Sequence, residues 1–204
     1  ANIGAIAPDG GVFGSAIELT NTVNLSDRLY FRHALETRDF AIGQYQVGRI
    51  TGEASVNFAY PVLDEHSNIA AVVFAAVDLD WLNQLVARAS LPAGAVLTAI
   101  DSNGTVLVNF PNPGTWVGKD VSTAPITQTI LLKHEGTAEV AGIDGVMRLY
   151  AFTPLTRRGQ VYVSVGIPST VAYAEVKHLL TRNLITLAVI AGLVVIATWI
   201  GGRR

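Results

Sequence analysis

A short pattern occurs twice in this sequence, at residues 5–12 (AIAPDGGV) and at residues 99–106 (AIDSNGTV). In each copy two apolar runs flank a polar, glycine-containing turn, which predicts a β-hairpin. Each hairpin is followed by a stretch with helical spacing and then by three more strand-like runs. The copies lie about ninety residues apart. The chain is therefore predicted to fold into two copies of one α+β module rather than into one large domain.

The two predicted modules meet at residues 91–94 (LPAG), where turn residues interrupt the pattern. We expect a first module over residues 1–90, in which Ser26 caps the first helix, and a second module over residues 91–169. The strands predicted for the first module are 2–7, 12–17, 40–50, 55–63 and 69–77, with a second helix over 80–89. The strands predicted for the second module are 95–101, 105–110, 137–143, 146–154 and 160–167, with a loop over 111–119 and a helix over 122–133.

The run from residue 184 to residue 200, LITLAVIAGLVVIATWI, carries no charge, and its only polar side chains are two threonines. Its length is close to the shortest helix that crosses ~30 Å of hydrocarbon. We predict a transmembrane helix over residues 184–202 that continues a juxtamembrane helix over residues 170–183, with a buried core helix as the alternative. Two basic residues precede the run and two follow it, so the local charge does not set its orientation.

The composition argues against several function classes. The net charge is −2 and basic residues are not clustered, so no nucleic-acid partner is expected. The chain has no cysteine, which excludes disulfides, thiolate metal sites and cysteine nucleophiles. Neither a nucleophile elbow nor a phosphate-binding loop is present, and the histidines His33, His66, His134 and His178 lack metal-ligand spacing. We expect no cofactor, no metal site and no enzyme activity.

Several motifs follow one another in a characteristic order. The segment DRLYFRHA at residues 27–34 places two aromatic residues just after an arginine, with an alanine three positions further on. The other motifs are YQVGRITG at 45–52, AYPV at 59–62, AVDLDWL at 76–82, IDSNG at 100–104, WVGK at 116–119 and YVSVGIP at 162–168. Together they resemble the double Cache (dCache, or PDC) sensor domains of bacterial histidine kinases, diguanylate cyclases and chemoreceptors.

The resemblance implies an α+β fold of two tandem PAS-like (Cache) modules, each a central antiparallel sheet flanked by helices, followed by one transmembrane helix. It implies that the first module is membrane-distal and the second membrane-proximal. It further implies a long helix before residue 1 and an output domain after residue 204, so we expect the sequence to be a fragment of a longer receptor.

The resemblance also implies that a ligand binds in the first module. A guanidinium takes a carboxylate through two parallel hydrogen bonds, an acidic group takes an ammonium, and aromatic rings form the walls. The candidate ligand-binding residues are Arg28, Tyr30, Phe31, Tyr45, Tyr60 and Asp78. Of these, Tyr45 and Tyr60 lie on predicted strands, where each would face either the core or the pocket.

Each candidate has a structural alternative. Arg28 would pair with an acidic neighbour on its own helix, the aromatic residues would belong to the core, and Asp78 would cap the helix that follows it. Arg49 is interpreted as a solvated charge on a strand. In the amino-acid-binding branch of the family a tyrosine stands where this chain has Val23, and a tryptophan where it has Tyr30. Amino acids, amines and organic acids therefore all stay open as ligand classes.

The expected function is extracytoplasmic sensing of a small organic molecule and relay of the signal across the membrane to a cytoplasmic output domain. We expect a homodimer in the bacterial inner membrane, with residues 1–182 outside the cytoplasm. The alternative is a membrane-anchored interaction or structural module whose Cache-like fold no longer binds a ligand. The second module shows no charged pair comparable to that of the first, so we expect it to have a structural or relaying role.

Overall fold

The structure is a computed structural model that describes residues 1–155 and 160–172. Its first half forms one antiparallel sheet in the strand order β2-β1-β6-β5-β3, with β4 also paired to β5. The elements are β1 (Asn2–Ile6), β2 (Val12–Ser15), α1 (Leu29–Thr37), β3 (Ala41–Ile42), β4 (Gln46–Val47), β5 (Ala54–Leu63), β6 (Ile69–Asp78) and α2 (Leu79–Ala87).

The second half forms a five-stranded antiparallel sheet in the order β8-β7-β11-β10-β9. Its elements are β7 (Val96–Asp101), β8 (Val106–Phe110), α3 (Pro113–Trp116), α4 (Pro125–Lys133), β9 (Gly136–Ala141), β10 (Met147–Pro154), β11 (Val161–Pro168) and α5 (Ser169–Ala172). In both sheets the opening hairpin lies at one edge and the last strand pairs with the first strand of that hairpin. This shared order agrees with the internal repeat and with tandem PAS-like modules.

The start of α1 differs from the prediction. Arg28, with an extended backbone, is the N-cap residue, and no side chain makes a capping hydrogen bond. The expectation that Ser26 caps this helix is therefore wrong. Asp27 is also unavailable as a cap, because its carboxylate accepts hydrogen bonds of 2.9 and 3.0 Å from Arg49.

The predicted strand over residues 40–50 is divided into the short strands β3 and β4. Between them the backbone N–H of Tyr45 donates to Asp101 in the second half of the chain, at 3.1 Å. This hydrogen bond holds the segment against the other module, so it does not continue in the sheet. The predicted loop over residues 111–119 likewise contains the single helical turn α3, which has Pro113 at its first position.

The two halves share a hydrophobic core. One cluster packs α1 against the first sheet and another packs α4 against the second sheet. A third cluster joins the halves and contains Ile42, Val56, Leu79, Ala99, Leu107, Val108 and Val161. The buried Asn83 of α2 adds polar contacts there, because its Oδ1 accepts from the backbone N–H of Asn109 at 3.0 Å. The modules are therefore joined by packed and hydrogen-bonded surface as well as by the connecting chain.

Within residues 1–155 and 160–172, no helix has the length and apolar character needed to cross a membrane. The predicted transmembrane helix over residues 184–202 lies outside the described residues. So does the part of the predicted juxtamembrane helix beyond Ala172, where α5 and the described residues end.

Candidate functional site

A small polar cavity lies in the first module. Its volume is about 10 Å³, and a cavity of that size holds roughly one water molecule. The polar side chains that line it are those of Asn2, Tyr30, Gln46, Arg49, Thr51 and Asn57. We refer to it as the first-module cavity.

Tyr30 lies in the first turn of α1, with only 1% of its surface exposed. Its ring lies 6.5 Å from that of Phe74, measured between centroids. Among the described residues, no group makes a hydrogen bond of standard geometry to the buried Tyr30 hydroxyl, although the side chains of Asn57 and Gln46 are neighbouring hydrogen-bonding groups. Burial raises the pKa of Tyr30, although Asn57, Arg28 and Gln46 act in the opposite direction. The hydroxyl therefore stays protonated at neutral pH and is a donor without an acceptor.

Arg28 is the second group with unused hydrogen-bonding capacity. Its Nη2 donates to the backbone oxygen of Val47 at 3.4 Å, which is a long hydrogen bond. Its Nε is buried and has no hydrogen-bond partner within residues 1–155 and 160–172. The acidic neighbour Asp27 is bound to Arg49 instead. Arg28 is the N-cap residue of α1, and Tyr30 follows two residues later in the first turn of the same helix.

Asp78 ends β6 and caps α2. Its Oδ1 accepts from the backbone N–H groups of Asp80 at 2.7 Å and Trp81 at 3.3 Å, as the structural alternative for this residue proposed. Burial acts to raise the pKa of Asp78, but these backbone hydrogen bonds outweigh it and the pKa lies below its ordinary value. In the sheet Asp78 pairs with Ser55, two positions along from the pair formed by Asn57 and Ala76. Asp78 therefore lies on the same sheet face as the cavity, with its carboxylate already engaged.

The structure does not place the other three candidate residues beside Arg28, Tyr30 and Asp78. Phe31 is buried in the core cluster between α1 and the first sheet, and it does not line the cavity. Tyr45 packs between the modules, where a side-chain carbon at Gly118 would lie 2.9 Å from its hydroxyl. Tyr60 is 53% exposed and alternates with Ala59, so it lies on the opposite face of the sheet. Tyr45 and Tyr60 therefore do not contribute to a site with Arg28 in this structure.

Of the polar residues that line the cavity, only Tyr30 was predicted as a site residue. Asn57 is buried and accepts a hydrogen bond of 3.0 Å from Ser55. Asn2 exchanges hydrogen bonds with Ser15 at the end of the sheet, and Gln46 lines the cavity from β4. A signal for Asn57 was present, since it is an amide between Val56 and Phe58 in an otherwise apolar strand, where a buried polar group needs a partner.

Arg49 was interpreted as a solvated charge, but it makes a two-fold ion pair with Asp27 and also donates to the backbone oxygen of Asn24 at 2.5 Å. Its hydrogen bonds lower the pKa of Asp27 and raise its own. Arg49 lines the first-module cavity. Arg49 is thus already paired with Asp27, whereas Arg28, which has an unused donor, is not one of the residues that line this cavity.

The architecture described above is that of the ligand-binding regions of bacterial sensor proteins. The extracellular domain of the histidine-kinase-type protein rpHK1S-Z16 superposes with a TM-score of 0.68 at 19% identity, over 83% of this chain and 71% of that one. The ligand-binding domain of the Pseudomonas fluorescens chemoreceptor CtaA, solved with L-isoleucine, gives 0.65 at 15% identity, over 85% and 71% of the two chains. That of the Pseudomonas aeruginosa amino acid chemoreceptor PctB, solved with L-Gln, gives 0.62 at 18% identity, over 89% and 75%.

Comparison of sequences finds one similar segment in Sporulation kinase D of Bacillus subtilis (strain 168). The match is 38% identical over 77 residues, which are 38% of this chain and 15% of the kinase. No family model matches the chain. The structural neighbours confirm the fold expected from the Cache resemblance, that of an extracellular sensor domain of the kind found in histidine kinases and chemoreceptors.

Proposed function

We propose that this chain senses a small organic ligand outside the cytoplasm and relays its presence across the bacterial inner membrane. The observation that carries the proposal is the pair of buried, unsatisfied donors at Arg28 Nε and Tyr30 Oη. A buried donor without a partner costs about 1–3 kcal/mol. A ligand acceptor at this place would remove that cost, which favours the ligand-bound state.

The available donors favour a ligand with a carboxylate or another strong acceptor. An arginine edge and a phenol can both donate to one carboxylate. The carboxylate of Asp78 is occupied by the α2 cap, which makes a simple amine a poorer fit than an organic acid or an amino acid. The PctB and CtaA neighbours, which bind amino acids, support this ligand class.

Ligand entry would require the first module to open. The cavity of about 10 Å³ is far smaller than the ~300 Å³ of an ordinary small-molecule pocket. Residues 46–51, which form one wall of the cavity, are the segment we expect to move. The bound and free conformations would then differ, and a ligand shifts an equilibrium only through such a difference.

The relay would pass through the second module. The third hydrophobic cluster joins the modules, and α5 follows the central strand β11 directly. We propose that α5 continues as the juxtamembrane helix to residue 183 and then as the membrane helix over residues 184–202. Residues 1–90 would form the membrane-distal module and residues 91–169 the membrane-proximal one, in a homodimer with residues 1–182 outside the cytoplasm. The output domain would belong to the longer protein, and sensing rather than catalysis would be the role of this chain.

The small volume of the first-module cavity favours a second candidate function. A Cache-like module without ligand binding would need no larger space, and Arg28 and Tyr30 would then remain structural. Such a chain would serve as a membrane-anchored interaction module. A ligand screen distinguishes the two candidate functions.

The screen measures the melting temperature of the 204-residue chain in detergent against organic acids, amino acids, amines and purines. Ligands that bind only the folded state raise it by mass action. We expect a hit among the carboxylates, with an affinity at least about tenfold weaker in Arg28→Gln because a charged hydrogen bond is lost. Arg32→Gln, an exposed arginine on the same helix, is the matched control and should keep full affinity.

Two outcomes would count against the proposal. A hit with equal affinity for the wild type and Arg28→Gln would place the ligand elsewhere. A folded protein that responds to no compound would favour the interaction module.

A further inference from the structure

A larger cavity, separate from the proposed ligand site, lies in the second module. Its volume is about 360 Å³, which is within the range of small-molecule pockets. The chain segment 91–96 forms one side, the end of β8 with the following residues forms another, and the hairpin between β9 and β10 closes the third. We refer to it as the second-module cavity.

Arg148, on β10, is the charged residue that lines this cavity from the core side. Its side chain is only 7% exposed. Arg148 lies on the same face of the strand as the buried Tyr150, whereas its neighbours Met147 and Leu149 are exposed on the other face. Its two terminal nitrogens donate to the carboxylate of Asp144 at 2.6 and 2.7 Å. This is the charged pair that the sequence did not reveal in the second module.

The ion pair alone does not use the whole guanidinium. Asp144 takes one N–H from each terminal nitrogen, whereas a guanidinium has five N–H groups. The Nε of Arg148 is buried and has no hydrogen-bond partner among the described residues. A pair that only braced the hairpin would not need a deeply buried arginine with an unsatisfied donor beside a cavity. The edge of the Arg148 guanidinium that carries Nε can donate to a second carboxylate side-on once it is uncovered.

The remaining wall combines aromatic surface with fixed polar groups. Phe110 and Trp116 contribute rings. Asn109 is buried, and its side chain is held by Thr98 at 3.1 Å and by the backbone N–H of Asn112 at 3.3 Å. A charged donor beside aromatic surface is the combination that orients a small acid with an apolar body.

We propose that the second-module cavity is a second ligand site, which binds a small carboxylate through Arg148. The carboxylate would meet the free edge of the guanidinium, and the apolar part of the ligand would contact Phe110 and Trp116. Because Nε is covered by protein atoms, binding would require a small shift of the turn at residues 142–145, which holds Asp144. Gly142 permits the close packing at this turn, since a side-chain carbon there would lie 2.3 Å from the Tyr150 hydroxyl.

This site is connected to the first module by hydrogen bonds. Asn109 lines the cavity, and its backbone N–H donates to Asn83 of α2. The side chain of Asn83 also donates to Leu79, the first residue of α2, at 2.7 Å. Asn109, on the wall of the second-module cavity, is therefore one hydrogen bond away from the helix that Asp78 caps.

The test uses the 204-residue chain in detergent with propionate, L-lactate, succinate and benzoate, and with propionamide as the uncharged match to propionate. At saturation at least one acid should raise the melting temperature by about 3 °C or more. Propionamide should have no effect. Arg148→Gln should weaken the affinity for that acid at least about tenfold.

Two further variants keep the result decisive. Asn112→Trp, at an exposed position on the cavity rim, fills the space without altering the core and should abolish the shift even if Arg148→Gln does not fold. Arg28→Gln removes a side chain of the first module that contacts Val47 and should retain the shift, which separates this site from the proposed function. No shift with any acid, an equal shift with propionamide, or a shift that survives Asn112→Trp would overturn the proposal.

Discussion

The two modules share one strand order but carry different side chains at corresponding places in it. At the end of the first sheet Ser55 pairs with Asp78, the last residue of β6, and at the corresponding place in the second sheet Arg148 pairs with Pro168, the last residue of β11. Within this strand pair the first module places a helix-capping carboxylate on its last strand, whereas the second module places a buried guanidinium on the strand before the last. Their cavities have volumes of about 10 and 360 Å³.

This difference shows that topology sets where a site forms, whereas single side chains set its chemistry. In the first module one of the two unsatisfied donors, Tyr30, lines a very small cavity, so ligand binding would be coupled to opening. In the second module a cavity of ligand size is already present, and the Asp144 carboxylate occupies part of the Arg148 guanidinium. Four predictions sharpen or break this comparison.

The largest effect is expected from the two core aromatics. Phe31→Ala and Phe152→Ala remove rings that are 2% and 4% exposed, and each should lower the free energy of unfolding by about 3–5 kcal/mol. Because the modules share a core cluster, both variants should keep a single unfolding transition in urea. Two separate transitions would show that the modules unfold independently.

A smaller loss is expected at the contact between the modules. Asn83→Ala leaves the buried backbone N–H of Asn109 without its acceptor, which costs about 1–3 kcal/mol. Asn21→Ala, in an exposed loop, is the matched control and should change the free energy of unfolding by less than about 0.5 kcal/mol. Equal stabilities of the two variants would contradict the coupling through Asn83.

The ion pair between Arg148 and Asp144 in the second module should make the free energy of unfolding depend on pH in the acid range. The hydrogen bonds from Arg148 hold the pKa of Asp144 below its ordinary value, so the stabilisation is complete above the unfolded pKa of about 3.9 and is lost as the pH falls through the folded pKa. Asp144→Asn should therefore be less stable than the wild type at pH 7, by about 1 kcal/mol because the carboxylate is partly exposed. The difference should shrink below about pH 4.

Urea unfolding at pH 7, 5, 4 and 3 measures this dependence. Glu65→Gln, in the exposed turn before β6, controls for the loss of one negative charge. A stability difference that stays constant from pH 7 to pH 3 would contradict the assignment to Asp144.

The smallest effect on stability is expected at Tyr30. Tyr30→Phe removes a buried hydroxyl that has no hydrogen-bond partner in the described part of the chain, so the ligand-free protein should be unchanged or more stable, by up to about 1 kcal/mol. Ligand affinity should fall in the same variant. A loss of stability above about 1 kcal/mol would mean that the hydroxyl already has a partner.

The fold was predictable because each hairpin has its own turn residues and each sheet its own apolar alternation. The site was predictable only in part. Arg28, Tyr30 and Asp78 fall on the expected elements, but the ion pair that binds Asp27 to Arg49 joins residues 22 positions apart, and no local pattern indicates it. Tyr60 faces outward because of register, which one residue of slip would reverse. The ligand roles of the candidate residues, the module boundaries and the membrane helix stay predictions.

The most direct test of the sensing role is to observe the Nε–H signals of Arg28 and Arg148 by nuclear magnetic resonance in the detergent-solubilised chain. The spectra would be recorded with and without a saturating carboxylate from the ligand screen. If the first module senses the ligand, the Arg28 signal should shift downfield and exchange more slowly with water, and Tyr30→Phe should reduce the shift. A ligand that raises the melting temperature and leaves the Arg28 signal unmoved would contradict sensing through the first module.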